Sequence, residues 1–132
     1  MRLIGIDYGE KRIGIALSDE SGAFAFPHSV IINCSDCAIL NVAQIKKICG
    51  ENDVGKIILG ESLDYKGKPN PIMKKIEKFK VLLEKEINLP VIYQSEILTT
   101  KEAERIIGKT KKTDASAAAL ILRSYIDKEK ML

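Results

Sequence analysis

The sequence has no tryptophan, one histidine, three cysteines, and only three phenylalanines and four tyrosines. So few flat faces argue against a platform on which single-stranded bases stack. An odd set of cysteines offers no disulfide framework and fits a reducing compartment better. The longest uninterrupted apolar run is Ala117 to Leu122, whereas crossing a bilayer takes roughly 18 to 20 residues. Arg2 is followed by only a few apolar residues before Asp7 interrupts them, too few for a secretory signal. A cytoplasmic protein with no membrane partner is therefore expected. There is also no internal repeat, low-complexity stretch or Pro/Gly/Ser-rich linker.

What is present reads as one domain over 1–132, because 132 residues fall just below the roughly 150 of an average domain. With 45% apolar and 30% charged residues, the composition is that of an ordinary globular chain. Folding at this length buries roughly two thirds of the unfolded surface, so the core needs no metal or disulfide staple. A net charge of +3 permits a polyanionic partner without demanding one. Its distribution is more informative. Lys66, Lys68, Lys74, Lys75, Lys78 and Lys80 face only Asp64 and Glu77, and Lys109, Lys111 and Lys112 precede Asp114. Such clusters either follow a phosphate backbone or simply keep a helix face and loops wet.

Apolar spacing sets the order of elements. Arg2–Asp7 and Arg12–Ser18 are short apolar segments joined by Gly9, Glu10 and Lys11, which predicts a hairpin. Phe24–Asn33 reads as a third strand. From Ala38 to about Asn52, Ile39, Val42, Ile45 and Ile48 recur as one helical face. Lys56–Gly60 is a fourth strand. Pro71 opens a longer helix carrying Ile72, Ile76, Phe79, Leu83 and Ile87 on one stripe, and Pro90–Tyr93 is a fifth strand. Thr99 with Glu102 forms a capping box for a helix to about Gly108, and Asp114 can cap a last helix to about Lys128. The order is βββαβαβαα, an α/β class, with the first, fourth and fifth strands parallel.

That order brings acidic residues towards one edge. Asp7 emerges at the C-terminal end of an apolar, central strand, where an ionised carboxylate is costly unless compensated. Parallel fourth and fifth strands end at Gly60 and just before Glu96 on the same edge, where open α/β sheets generally bind ligands. Asp114 opens the last helix. Three converging carboxylates suit Mg²⁺ or Mn²⁺, and such ions can activate water against a phosphodiester. The same residues have plain structural uses: Asp7 as a turn former before Gly9, Glu96 as a solvated loop charge, Asp114 as a helix cap.

Three stretches in order weigh between these readings. Gly5-Ile6-Asp7-Tyr8-Gly9-Glu10-Lys11-Arg12-Ile13-Gly14 through Asp19, Ser95-Glu96-Ile97-Leu98-Thr99-Thr100 in part, and Thr113-Asp114-Ala115-Ser116 through Tyr125 resemble the motifs of the YqgF/RuvX family. These are RNase H-like proteins described as Holliday junction resolvases and as nucleases maturing pre-16S rRNA. The resemblance spans essentially the whole chain. It implies an RNase H-like fold, a mixed five-stranded sheet with helices on both faces, and Asp7, Glu96 and Asp114 as the catalytic, metal-binding acids. Gly9, Lys11, Arg12 and Gly14 belong to its hairpin motif. Nucleic acid, as pre-rRNA or branched DNA, is the implied partner of a monomer or weak homodimer. Lys11, Arg12, Lys66, Lys68, Lys111 and Lys112 are candidate phosphate contacts; Glu61, just after the fourth strand, reads as an exposed loop glutamate or else as a further acid near the edge. The family usually has Asp-Glu-Arg-Leu where this chain has Ser95-Glu96-Ile97-Leu98, so one acid and one guanidinium are absent. That departure admits a second reading, a nucleic-acid or ribosome-associated binding module with weak turnover.

Other motifs are set aside. Cys34 and Cys37 form a C-x-x-C at a strand-to-helix junction, but a structural zinc needs four ligands and only Cys49 and His28 remain. Gly108-Lys109-Thr110 mimics the end of a phosphate-binding loop, yet Ala103 stands where its first glycine is required and the segment closes a helix. The Asp7-Tyr8-Gly9 hairpin also resembles the phosphate loop of actin-like and sugar-kinase ATPases, which hold nucleotide between two domains. His28, alone on a strand, is read as packed.

Overall fold

In the computed structural model the description covers residues 1–64, 66–95 and 113–130, with the backbone alone at 113 and 114. The strands are Arg2–Tyr8 (β1), Arg12–Ser18 (β2), Ala25–Ile32 (β3), Val54–Glu61 (β4) and Val91–Ser95 (β5); the helices are Ala38–Glu51 (α1), Met73–Ile87 (α2) and Thr113–Lys130 (α3). The helix expected over Thr99–Gly108 lies outside the described residues.

The strands form one sheet in the order β3-β2-β1-β4-β5. β1 pairs antiparallel with β2 and parallel with β4, and β4 pairs parallel with β5, as the chain order predicts. Ile4, Ile6, Ile13, Ile15 and Ile57 are fully buried beneath α1 and α2, whereas Ile58 and Ala16 are buried beneath α3. Both faces of the central strands are thus covered, which is why Leu3–Ile6 of β1 and Ile57–Gly60 of β4 carry no polar residue and do not alternate. Each such isoleucine contributes roughly 1.5–3 kcal/mol relative to leaving it in water.

The edge strand β3 carries Pro27 and exposes Phe26, Val30 and Ile32. His28, expected to be packed, is exposed there with Nδ1 2.9 Å from the Ser29 hydroxyl. In α1 the buried positions are Asn41, Val42, Ile45 and Cys49, and Ile39 is 78% exposed. Three-residue steps fall short of the 3.6-residue turn, so a face read at that spacing drifts around the helix. α2 begins at Met73, after Pro71, and buries Met73, Ile76, Phe79 and Leu83. Among the described residues no helix is long and apolar enough to cross a membrane.

Candidate active edge and its surroundings

Strand alternation assigns each residue of β1 to a face. Leu3 belongs to the core under α3, and Ile4 and Ile6 to the core under α1 and α2. Asp7 therefore lies on the α3 face, half-buried at the C-terminal end of the strand. Its partner across β2 is Gly14. On the other side Ile6 pairs with Leu59, so Gly60 follows next to Asp7 on the same face. Asp7 thus stands between two glycines, which leave room on this face that longer side chains would occupy. The sequence offered one signal for this, a glycine interrupting each β-branched run, but only the strand register shows that both glycines flank the same carboxylate.

α3 is laid directly on this part of the sheet. A Cβ at Gly5 would fall 2.9 Å from the Ala118 carbonyl oxygen and 2.9 Å from the Leu122 Cβ. Further along the helix Tyr125 accepts a hydrogen bond from Lys56 Nζ at 3.1 Å, at the start of β4. The helix therefore runs from the C-terminal edge of β1 back towards its N-terminal edge. Asp114 precedes Ala118 by about one turn, or roughly 6 Å of rise; Asp7 follows Gly5 by two strand residues, or roughly 6.5 Å. The backbone at 114 and the end of β1 thus lie towards the same edge of the sheet. Both Thr113 and Asp114 lie within the helix, so Asp114 is not its cap. Glu96 lies outside the described residues, immediately after Ser95, which ends β5 opposite Glu61. Among the described residues no group of three or more His, Cys, Asp or Glu stands ready for a metal; the proposed partners of Asp7 are beyond that description.

Glu61, read as a loop residue, is instead the last residue of β4 and points to the opposite face. It helps raise the Tyr93 phenol above its ordinary value, an effect led by burial and followed by the charges of Glu77, Glu61 and Glu84; Tyr93 packs against the core under α2.

The cations divide between faces. Arg12, exposed at the start of β2, lies on the Asp7 face, two residues from Gly14 and so diagonal to Asp7. Lys66 and Lys68 are exposed in the loop after β4, where Asp64 Oδ1 accepts their backbone N–H groups at 2.8 and 2.9 Å. Lys11 lies in the β1–β2 turn and opens on the α1/α2 side. Lys111 and Lys112 lie outside the described residues.

The β1–β2 turn is firmly held. A Cβ at Gly9 would meet the Arg12 carbonyl oxygen at 2.6 Å, so the turn needs glycine. Asn33 donates to the Gly9 carbonyl at 2.7 Å, and its Oδ1 accepts from Cys34 N and from buried Asn41 Nδ2, both at 2.9 Å. Cys34 and Cys37 are joined as a disulfide, where the sequence reading expected no disulfide framework. The three-residue separation closes a turn at the start of α1 that brings the two thiols together. Cys49 remains free and buried.

The family model described as RuvX, Holliday junction resolvase, matches residues 1–128. This chain belongs to the RuvX family. It is 40% identical over 135 residues to the "Putative pre-16S rRNA nuclease" of Syntrophus aciditrophicus, covering 96% of this chain and 89% of the relative. It is 36% identical to the relative of the same name in Thermoanaerobacter pseudethanolicus, covering 98% of this chain and 99% of that one. In three dimensions this RuvX family chain superposes on T. thermophilus RuvC in complex with a Holliday junction substrate with a TM-score of 0.68 and 14% identity, over 98% of this chain and 96% of that one. Its fold is accordingly the RNase H-like fold of the resolvases, in agreement with the sheet order and the flanking helices described above.

Proposed function

We propose that this protein is a divalent-metal-dependent endonuclease of structured nucleic acid, acting on pre-16S rRNA or on branched DNA, with Asp7, Glu96 and Asp114 as its acidic set. The observation that supports the reading is that Asp7 faces α3 at the sheet edge towards which the first turn of that helix, with Asp114, extends. Family membership supports the same choice of residues. Carboxylate oxygens are the hard donors that Mg²⁺ and Mn²⁺ take, and the glycines beside Asp7 keep room for such an ion. Held by these three acids, the ion would supply an activated water and stabilise the departing oxygen of a phosphodiester.

The chain's own part is placement and charge. Asp7 is paired with Gly14 in the β1–β2 ladder and follows the last β1–β4 pair, Ile6 with Leu59, which holds its carboxylate more rigidly than a loop would. Arg12, on the same face, offers a fork suited to one phosphate. Lys66 and Lys68 extend the positive rim past β4, and Lys11, Lys111 and Lys112 complete the proposed phosphate contacts.

Asp7→Asn is expected to abolish cleavage of four-way DNA junctions and of precursor rRNA in Mn²⁺ while the circular dichroism spectrum and melting temperature are retained; undiminished cleavage would refute the assignment. Running both substrates together separates RNA from DNA action. One observation favours a second reading. Ser95 closes β5 where the family motif has an aspartate, and Ile97 replaces its arginine, which suits a binding module of weak turnover. Nucleic-acid affinity without metal binding or cleavage is the result that would select it.

A further inference from the structure

On the face of the sheet away from Asp7, a cleft of about 710 Å³ lies between α2, the β1–β2 turn and the segment leading into α1; of its lining the nuclease reading uses only Lys11. Its floor and one wall are apolar: Tyr8, Ala38, Val81 and Leu82, with Phe79 beneath them. Val81 is 64% exposed. Its rim is cationic. Lys75, Lys78 and Lys85 follow one another along α2 on the same side as Leu82, spanning roughly 15 Å, and Lys11 faces them from the β1–β2 turn. Among the described residues the one acid of the lining, Glu10, is engaged by Lys75 at 3.3 Å. Lys11, Lys78 and Lys85 have no ion pair among the described residues.

We infer that this cleft docks an acidic amphipathic helix of a partner protein, whose aliphatic side chains fill the floor and whose carboxylates meet the lysine rim. Helices lie in grooves of this kind through anchors spaced at three and four residues. The floor decides between this occupant and a nucleic acid strand. Bases need free aromatic faces, but Tyr8 and Phe79 are packed against each other at 4.9 Å between ring centres, and Phe79 is only 3% exposed. Apart from the part-exposed Tyr8, the accessible apolar lining is aliphatic, from Ala38, Val81 and Leu82, which phosphates and bases do not require. A second copy of this chain fits poorly as well, because a two-fold contact here would set lysines against lysines. Lys11 is the one residue shared with the nuclease reading, on which the inference does not otherwise rest.

The test uses the full chain labelled with ¹⁵N. A synthetic four-turn peptide with leucines on one helical face and glutamates on the other is titrated in, beside its counterpart with lysines for glutamates and a short single-stranded RNA. The glutamate peptide is expected to move the amides of Ala38, Lys78, Val81 and Leu82, and the lysine peptide to leave them unmoved. Val81→Glu and the double variant Lys78→Glu/Lys85→Glu are each expected to weaken the glutamate peptide on the order of ten-fold. Val81 is exposed enough for its substitution to leave the fold intact, which the unperturbed spectrum verifies. Failure of the glutamate peptide to bind, or shifts elsewhere, would overturn the inference. So would RNA moving these amides with an affinity that Val81→Glu does not change, or concentration-dependent shifts of the same amides without any peptide.

Discussion

Gly5 in β1 lies directly beneath Ala118 in α3, so close that a methyl group at position 5 would stand 2.9 Å from the Ala118 carbonyl oxygen. Backbone on both sides leaves nothing flexible to yield, and the helix itself must lift. Gly5→Ala is therefore expected to cost roughly 1–3 kcal/mol, the range of overpacked cores. Denaturant titration checks this. Cleavage should fall beyond what lost stability explains, since the same lift would move the start of α3 away from β1. An unchanged midpoint would mean that the helix is not pinned at this glycine.

The face of α1 is tested by a pair of substitutions. Ile45→Ala removes a fully buried side chain and should cost about 2–5 kcal/mol. Ile39→Ala, at a 78% exposed position, should stay within about 0.5 kcal/mol of the parent. Comparable losses at the two sites would contradict the helix orientation described here.

Asn33 binds the β1–β2 turn to the start of α1 through Gly9, Cys34 and Asn41. Asn33→Ala leaves the buried Asn41 amide and the part-buried Gly9 carbonyl without these bonds, a loss of about 1–3 kcal/mol. Hydrogen exchange should accelerate at Cys34 N, which donates to Asn33 Oδ1.

Asp19 holds the β2–β3 turn. Its carboxylate accepts from the Ser21 hydroxyl at 2.6 Å and from Ala23 N and Phe24 N at 2.8 and 3.0 Å. The Ser21 bond first, then the backbone bonds, bring its pKa from 3.8 down to about 2. Because the folded value is the lower one, the stabilisation is present above pH 3.8 and is lost as pH falls towards 2. The gap in stability between the parent and Asp19→Asn should accordingly narrow over that window, and an NMR titration of the Asp19 carboxyl should show a midpoint near 2.

Burial pushes the Cys49 thiol up to about 11, leaving little thiolate at neutral pH. After reduction, iodoacetamide should modify Cys34 and Cys37 in the folded protein and reach Cys49 only in denaturant. Mass spectrometry of the adducts reads the order directly.

The edge on which Asp7 lies is legible from chain order alone. Parallel strands joined by helices must end on one edge, so Asp7 and the end of β5 could be placed there before any coordinate. Faces were harder. Glu61 was read as a loop residue because the apolar run stops at Gly60, yet backbone pairing with β5 carries the strand one residue further and turns that carboxylate away from Asp7. Gly14 and Gly60 lie far apart in the chain, and only register reveals them as neighbours of one residue. The cleft beside α2 is invisible in the sequence for the same reason. Its lysines read as a phosphate track or a wetted helix face, and Tyr8 and Ala38, which complete its apolar lining with Val81 and Leu82, belong to other elements.

Pro27, within the outermost strand β3, has a wider consequence. It has no N–H to offer, so a foreign chain aligning along that rim meets a missing rung partway and cannot zip along its full length. Exposed Phe26, Val30 and Ile32 can therefore sit on the rim without seeding growth of the sheet from one molecule to the next.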